Sequence, residues 1–456
     1  RDPEMSRGLG DVYKRQMDIL IKVIQLFLCF TLLVGIHELG HFLMARVFGI
    51  RVEKFYIFFD PWFSLFKFKR GGTEYGVGWL PLGGYVKIAG MIDESMDKEQ
   101  MKQPVKPDEF RAKPAWQRLL VMVAGVMMNV LLAIVIYCAV CYTWGDSYFS
   151  NQDAKWGYNF NPTAHEMGFR DGDRFVSIDG EEIDNVMRVQ NDLLITDGGR
   201  RVIVERGGEP VTLDIPFESL LRMRQEKAYE DLFTLRLPFI VDSVSYTSAV
   251  EAGLESGDEV VAIDDLRDAD YPRYRDYLQK HKNDKVLLTV RRDGALIDSL
   301  ALPVDAEGRI GVTVTNPYSL RTQYYTFWES IPAGIHKAGK TISSYWDQLK
   351  LIVQPKTKMY EELGGFVAIG SIFPSSWDWH DFWLKTAFLS IILAVMNLLP
   401  IPGLDGGHAL FTLWEIITRR KPSEKFLEVA QYVGLMIILA LLVYANGNDI
   451  YRFFIK

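Results

Sequence analysis

Four long apolar runs interrupt an otherwise polar chain, at residues 19–47, 119–145, 386–404 and 429–448. Each is close to or above the roughly 20 residues that a helix needs to cross a bilayer. The last three are uncharged, whereas the first holds Lys22 and Gln25 and then His37, Glu38 and His41. Between the first two runs, GGTEYGVGWLPLGGYVKIAG at 71–90 mixes β-forming residues with Gly and Pro breaks. That mixture predicts a β-hairpin with its turn near 81–84. The pattern as a whole predicts a polytopic α-helical membrane protein of four spans, with a membrane-associated β-hairpin and a large polar insertion.

The polar insertion repeats itself. MGFRDGDRFVSIDG at 167–180 aligns with AGLESGDEVVAIDD at 252–265, sharing a Gly turn, a Gly-Asp turn and a following strand at equal offsets. Repetition at this spacing marks two copies of one folded unit. The copies resemble a tandem pair of PDZ domains, α+β modules expected at 151–217 and 239–315. Such folds take extended peptides by strand addition, so peptide ligands are one expected role and steric filtering or spacing is the other. An amphipathic linker is expected at 327–381, carrying Trp328, Tyr345 and Trp346. It would lie on the membrane surface or serve as a plain connecting helix. The remaining divisions are 17–145 for the first two spans and hairpin, and 382–456 for the last two spans. Residues 1–16, RDPEMSRGLGDVYKRQ, depart from the pattern and read as a non-native extension ahead of Met17. No small-residue cleavage site follows the first run, so the first span is expected to remain as an anchor.

Charge orients the spans. Arg419, Arg420, Lys421 and Lys425 crowd the loop between spans three and four, and Arg111, Lys113 and Arg118 precede span two. Basic residues in short loops mark the cytosolic side, which puts the repeated domains outside the cytosol; Arg452 and Lys456 weigh mildly against it. The chain of 456 residues has a net charge of −7, which gives no hint of nucleic-acid binding. A mean hydropathy of +0.02 in a chain that is 24% charged requires highly apolar and highly polar blocks side by side. The three cysteines, Cys29, Cys138 and Cys141, all fall in apolar runs and build no disulfide framework for the polar insertion.

Ionisable groups inside a span are costly, so His37, Glu38 and His41 need compensation. His37 and His41 are four apart and project from one helical face, the spacing with which two imidazoles grip one zinc ion. Glu38 between them is placed to act as a general base. A catalytic zinc needs a third protein ligand. His37 lies 18 residues after Ile19, and Asp405 lies 19 residues after Thr386, in spans that run in the same direction. The two positions therefore reach similar depth, towards the cytosolic face. Pro400 and Pro402 break the helix just before Asp405. His408 is a rival third ligand, and a purely structural reading would have the histidines bond to carbonyls of other spans.

HELGHFLMAR in the first span together with NLLPIPGLDGGH near the third resembles the site-2 protease family of intramembrane zinc metalloproteases, most closely the bacterial regulator of sigma-E protease group. The resemblance implies that His37, His41 and Asp405 bind Zn2+ and that Glu38 is the catalytic acid/base. It implies that Asn397, with Pro400 and Pro402 in the same motif, forms the substrate-binding part of the site. It further implies transmembrane protein substrates such as anti-sigma factors or remnant signal peptides, membrane lipid as surroundings, and a bacterial inner membrane with the PDZ-like pair on the periplasmic side. The segment at 71–90 would then be a membrane-re-entrant hairpin whose edge holds the unwound substrate. Two positions depart from the family pattern: Val126 follows Gly125 where Pro is usual, and Phe366 stands in LGGFVAIG where Pro is usual. A competing class is a non-catalytic membrane adaptor that gathers partners on the PDZ-like pair.

Overall fold

The computed structural model describes residues 3–80, 83–91, 104–267 and 270–455. It forms two compact units, one of residues 1–146 with 324–456 and one of 147–323.

The first unit is built on α1 (Pro3–Val47), α2 (Ala115–Trp144), α3 (Phe327–Val353), α4 (Trp379–Leu398), α5 (Asp405–Thr418) and α6 (Glu424–Ile450). Four segments are long and apolar enough to cross a membrane: Gln16–Val47, Ala115–Trp144, Trp379–Leu398 and Lys425–Phe453. They match the four expected runs, with one shift. The third helix begins before its uncharged stretch, because Asp378 caps it at the Asp381 N–H (3.1 Å) and Lys385 pairs with Asp381 one turn on (2.8 Å). It ends at Leu398 rather than near 404, since Pro400 forbids helical continuation and disfavours helix at the residue before it. Helix α1 takes in Pro3 and the rest of the stretch ahead of Met17, and so runs continuously into the first span.

Helix α2 is the hub against which α1, α3, α4 and α5 all pack. Lipid is as apolar as a leucine surface, so spans associate through close packing rather than through burial alone. Small residues provide it. A Cβ at Gly40 would lie 2.5 Å from the Ala124 carbonyl oxygen, so α1 and α2 touch backbone to backbone. Gly334 similarly lets α3 reach Cys138. Ala133, Ile136, Tyr137 and Val140 of α2 form one cluster with Ala338 of α3 and Ala387, Ile391 and Val395 of α4. The expected linker therefore starts as a helix that packs on α2 and α4, opened by a reciprocal cap in which Glu329 accepts from the Thr326 N–H (2.9 Å).

The segment between the first two spans corrects an expectation. It is a four-stranded sheet, β1 (Val52–Ile57), β2 (Phe59–Arg70), β3 (Thr73–Leu80) and β4 (Tyr85–Ile88), in the order β2-β3-β1-β4. β3 and β4 are not hairpin partners, because β1 lies between them, parallel to β3 and antiparallel to β4. The hairpin joins β2 to β3 instead, through Gly71 and Gly72, both at positive φ (58° and 84°). Two positive φ values in succession suit the two-residue hairpin turn whose twist matches its strands. Part of the expected turn, residues 81–82, lies outside the described residues. Tyr56 shows why β1 fits beside β3: its buried ring occupies the space that a Cβ at Gly76 would take, 2.3 Å away. The outer strand β2 presents Trp62, Phe63, Leu65 and Phe66 to the surroundings, an apolar face consistent with lipid contact.

The second unit uses one order of elements twice. Its first half runs Tyr158–Phe160, Pro162–Glu166, Arg174–Ile178, Glu181–Glu182, Val189–Leu194, Arg200–Arg206 and Glu209–Ile215. Its second half runs Phe239–Val244, Thr247–Glu251, Glu259–Ile263, Leu266–Arg267, Tyr271–Lys280, Lys285–Arg292 and Ala295–Pro303. The order strand, helix, strand, strand, helix, strand, strand is the same in both, and each half has its own apolar core. The shared Gly-Asp turn has a physical reason. Asp173 and Asp258 are fully buried, and each is gripped by a forked arginine, Arg206 (2.7 and 2.7 Å) and Arg292 (2.6 and 2.7 Å). The same arginines also donate to the carbonyls of the turn glycines Gly168 and Gly253, at 2.8 and 2.7 Å. Burial alone would push the Asp258 carboxyl up; the Arg292 guanidinium and the Glu255 N–H outweigh burial and hold it below its ordinary value.

Arg292→Met should therefore leave the Asp258 carboxylate uncompensated and destabilise the second half. Since the Asp258 carboxyl is lowered in the folded chain, its stabilisation is present above the unfolded value of about 3.9 and lost as pH falls through the folded one. Hydrogen exchange across 239–315 should show the variant's deficit largest near neutral pH and shrinking below pH ~4; a deficit independent of pH would contradict this account.

Candidate metal centre

Three segments of the first unit deliver the chemistry. His37 and His41 lie one turn apart on α1, buried at 7% exposure each. Helix α2 passes close enough only because position 125 is glycine: a Cβ there would sit 2.5 Å from His41 Nε2 and 2.7 Å from the His37 ring. Asp405 opens α5, and the turn before it explains the sequence around it. After Leu398 the chain bends at Pro400 and Pro402, passes Gly403 at φ 99°, and doubles back. A Cβ at Gly406 would meet the Leu399 carbonyl at 2.2 Å, and one at Gly407 the Ile401 carbonyl at 2.5 Å, so DGG is the composition that this reversal admits. Helix α6 braces the turn from behind, with Gly434 against the Pro402 carbonyl.

The result is a tight triangle. His37 Nε2 and His41 Nε2 are 3.2 Å apart, and Asp405 Oδ2 lies 3.0 Å from the first and 3.2 Å from the second. His41 Nδ1 faces the Val121 carbonyl at 2.8 Å, an acceptor, so that nitrogen carries the proton and Nε2 keeps its electron pair. A shared proton could bridge one pair of the three atoms but not all three pairs at once. Electron-rich atoms this close call for a cation among them. Ligands at about 2.0–2.1 Å in a tetrahedron stand about 3.3 Å from each other, close to the separations observed. Two imidazoles and one carboxylate are a ligand set of zinc enzymes that leaves a fourth position open.

A cavity of about 930 Å³ opens beside the triangle. Glu38, Asn397 and His408 line it, together with Tyr85, Val86 and Lys87 of the edge strand β4. A Cβ at Gly84, just before that strand, would sit 3.6 Å from the Glu38 side chain. Asn397 Nδ2 stands 3.4 Å from His37 Nε2. Among the described residues the converging group is His37, His41 and Asp405, with His408 on the cavity wall outside it. Pro400 and Pro402, expected to meet substrate, do not line the cavity; their rigid rings shape the turn that carries Gly403, Leu404 and Asp405 into it. Reasoning from spacing gave no role to Val121, Gly125 and Asn129 of α2. A single Asn one turn after a glycine, in an otherwise uncharged span, was the available signal.

Membrane-spanning helices carrying a buried two-histidine, one-carboxylate set define the class: a membrane zinc metalloprotease. The chain belongs to peptidase family M50, whose profile matches residues 25–441. It is 30% identical over 431 residues to a Clostridium perfringens protein that bears the name "putative zinc metalloprotease", covering 94% of this chain and 98% of that one. It is 28% identical over 460 residues to the regulator of sigma E protease of Haemophilus influenzae, covering 96% of this chain and 100% of that one.

Zinc analysis of the purified protein should find about one ion per chain, and His37→Ala, His41→Ala and Asp405→Ala should each strip it. Full occupancy in Asp405→Ala with loss in His408→Ala would make His408 the third ligand.

Proposed function

We propose that this metalloprotease cuts single-span membrane proteins inside the bilayer, with His37, His41 and Asp405 holding the zinc and Glu38 as catalytic acid/base. The observation that carries the reading is the triangle of electron-pair donors opening onto one cavity that also holds Glu38 and β4, an edge strand among the described residues. A substrate helix hides its amides in its own hydrogen bonds and must be unwound before it is cut. An edge strand offers unpaired backbone groups on which an extended peptide can pair. β4 would hold the unwound segment across the cavity, and Asn397 would touch it near the scissile bond. A zinc ion held by His37, His41 and Asp405 would supply Lewis acidity at that point. Glu38 takes a proton from the attacking water and returns one to the departing nitrogen.

Anti-sigma factor-like proteins or remnant signal peptides are the proposed substrates, on the strength of the family motifs and of the relative named regulator of sigma E protease. The proposed setting is a bacterial inner membrane with the repeated PDZ-like pair on the periplasmic side, a reading that the basic loops support. There the pair takes peptide ends or keeps bulky folded domains from the cavity.

Glu38→Gln keeps the side chain's shape and removes the base. Zinc content should persist while hydrolysis of a model membrane substrate falls at least about a hundredfold. Near-normal cleavage would remove Glu38 from the mechanism, and an adaptor that merely gathers partners would be indifferent to the change.

Deleting residues 151–315 tests the outer pair. The shortened protein should retain zinc and cleave a substrate bearing a folded outer domain that the full chain rejects. Continued rejection of that substrate would sink the filter role.

A further inference from the structure

Asn129 lies in the middle of α2, fully buried in the membrane unit. Its side-chain amide stands 3.2 Å from His37 Nδ1, the ring nitrogen that points away from the triangle. Its backbone carbonyl accepts from Ser390 Oγ at 2.8 Å, which ties α4 to α2 at this level. Gly125 lies one turn earlier on the same face, where its lack of a side chain admits both imidazoles. One α2 face thus makes room for the rings and also presents a polar group to one of them.

The proton inventory decides what that group does. His37 Nε2 belongs to the triangle and must present an electron pair there, so Nδ1 carries the hydrogen. A ring N–H then faces Asn129, whose terminal nitrogen could only donate as well, while its Oδ1 is buried with no donor. The two ends of an amide exchange by a half-turn, and hydrogen bonding decides between them. Turning this amide gives the orphaned oxygen a donor and the ring N–H an acceptor. We infer that Asn129 is a positioning residue for the metal centre: its side-chain oxygen accepts from His37 Nδ1–H, fixing the tautomer and the ring plane of that ligand. His41 has the equivalent support from the Val121 carbonyl, also on α2. The two ligands on α1 are therefore both held by α2, one through backbone and one through a side chain. The backbone contact survives any substitution at 121, whereas the contact at 129 depends on the residue present.

The inference rests on His37 as a zinc ligand, and the test separates the two. Zinc affinity is measured by chelator competition on full-length protein in detergent, with the visible spectrum of the Co2+-loaded form as a second readout. Asn129→Leu keeps the volume and removes the acceptor; affinity should fall about 10- to 100-fold, in the range typical of lost outer-sphere partners, and the Co2+ bands should shift. Asn129→Asp restores an acceptor and should bring affinity and spectrum back towards wild type. Wild-type affinity in Asn129→Leu would overturn the inference, as would equal losses in Leu and Asp, which would mean packing alone. If the Leu variant does not fold, Asn129→Ala against Asn129→Asp gives the same contrast. His37→Ala is the remaining arm: undiminished zinc there would overturn the ligand assignment itself, whereas zinc loss in His37→Ala with none in Asn129→Leu would overturn only the positioning role.

Discussion

Three electron-rich atoms held 3.0–3.2 Å apart in apolar surroundings are the condition on which the first unit depends. Carboxylate and imidazole electron pairs repel one another at such distances, and low dielectric strengthens that repulsion. A dication turns the same closeness into attraction. Much of the surrounding architecture serves to enforce it. Gly40 brings α1 onto α2, Gly125 lets the rings tuck against α2, and Gly406 and Gly407 let the chain reverse so that Asp405 arrives from the opposite side. Several kinds of side chain can tune such a site, but at these four places only a missing one allows it to form.

How much of this could be read in the sequence differs from element to element. The spans were legible because bilayer thickness fixes their length and hydrocarbon fixes their composition. His37, Glu38 and His41 were legible because helical spacing puts both histidines on one face, and Asp405 because matched depth in two parallel spans made it a partner. The sheet was not. Gly and Pro punctuation around residue 81 looked like a turn, but strand pairing is a long-range choice that local punctuation does not determine. The decisive contact, Tyr56 filling the space left at Gly76, joins residues 20 apart on strands that no turn connects. Asn129 was visible but mute, since nothing in its own span reveals that His37 stands behind it.

The second unit shows the opposite balance. Its repeat was legible as sequence, and the structure supplies the reason for its most regular feature. A buried aspartate in a glycine turn and an arginine one strand away recur in both halves with nearly the same distances. Charge-assisted forks of this kind carry geometry as well as energy. They lock the turn to the strand pair just past the end of the preceding helix. Two copies of one local solution, each with a separate core, are what a duplicated folding unit leaves behind.

The triangle's corners are far apart in the order in which the chain is made. His41 and Asp405 are separated by 364 positions. At roughly 5–20 residues per second, a ribosome needs on the order of 20–70 s to pass from one to the other. Throughout that interval the nascent chain holds two imidazoles and no carboxylate partner. A copy that has not reached Asp405 is thus unable to assemble the centre, and its neighbours in the membrane are spared a half-built protease. A separation of 364 positions means that a copy stopped before Asp405 lacks the third corner.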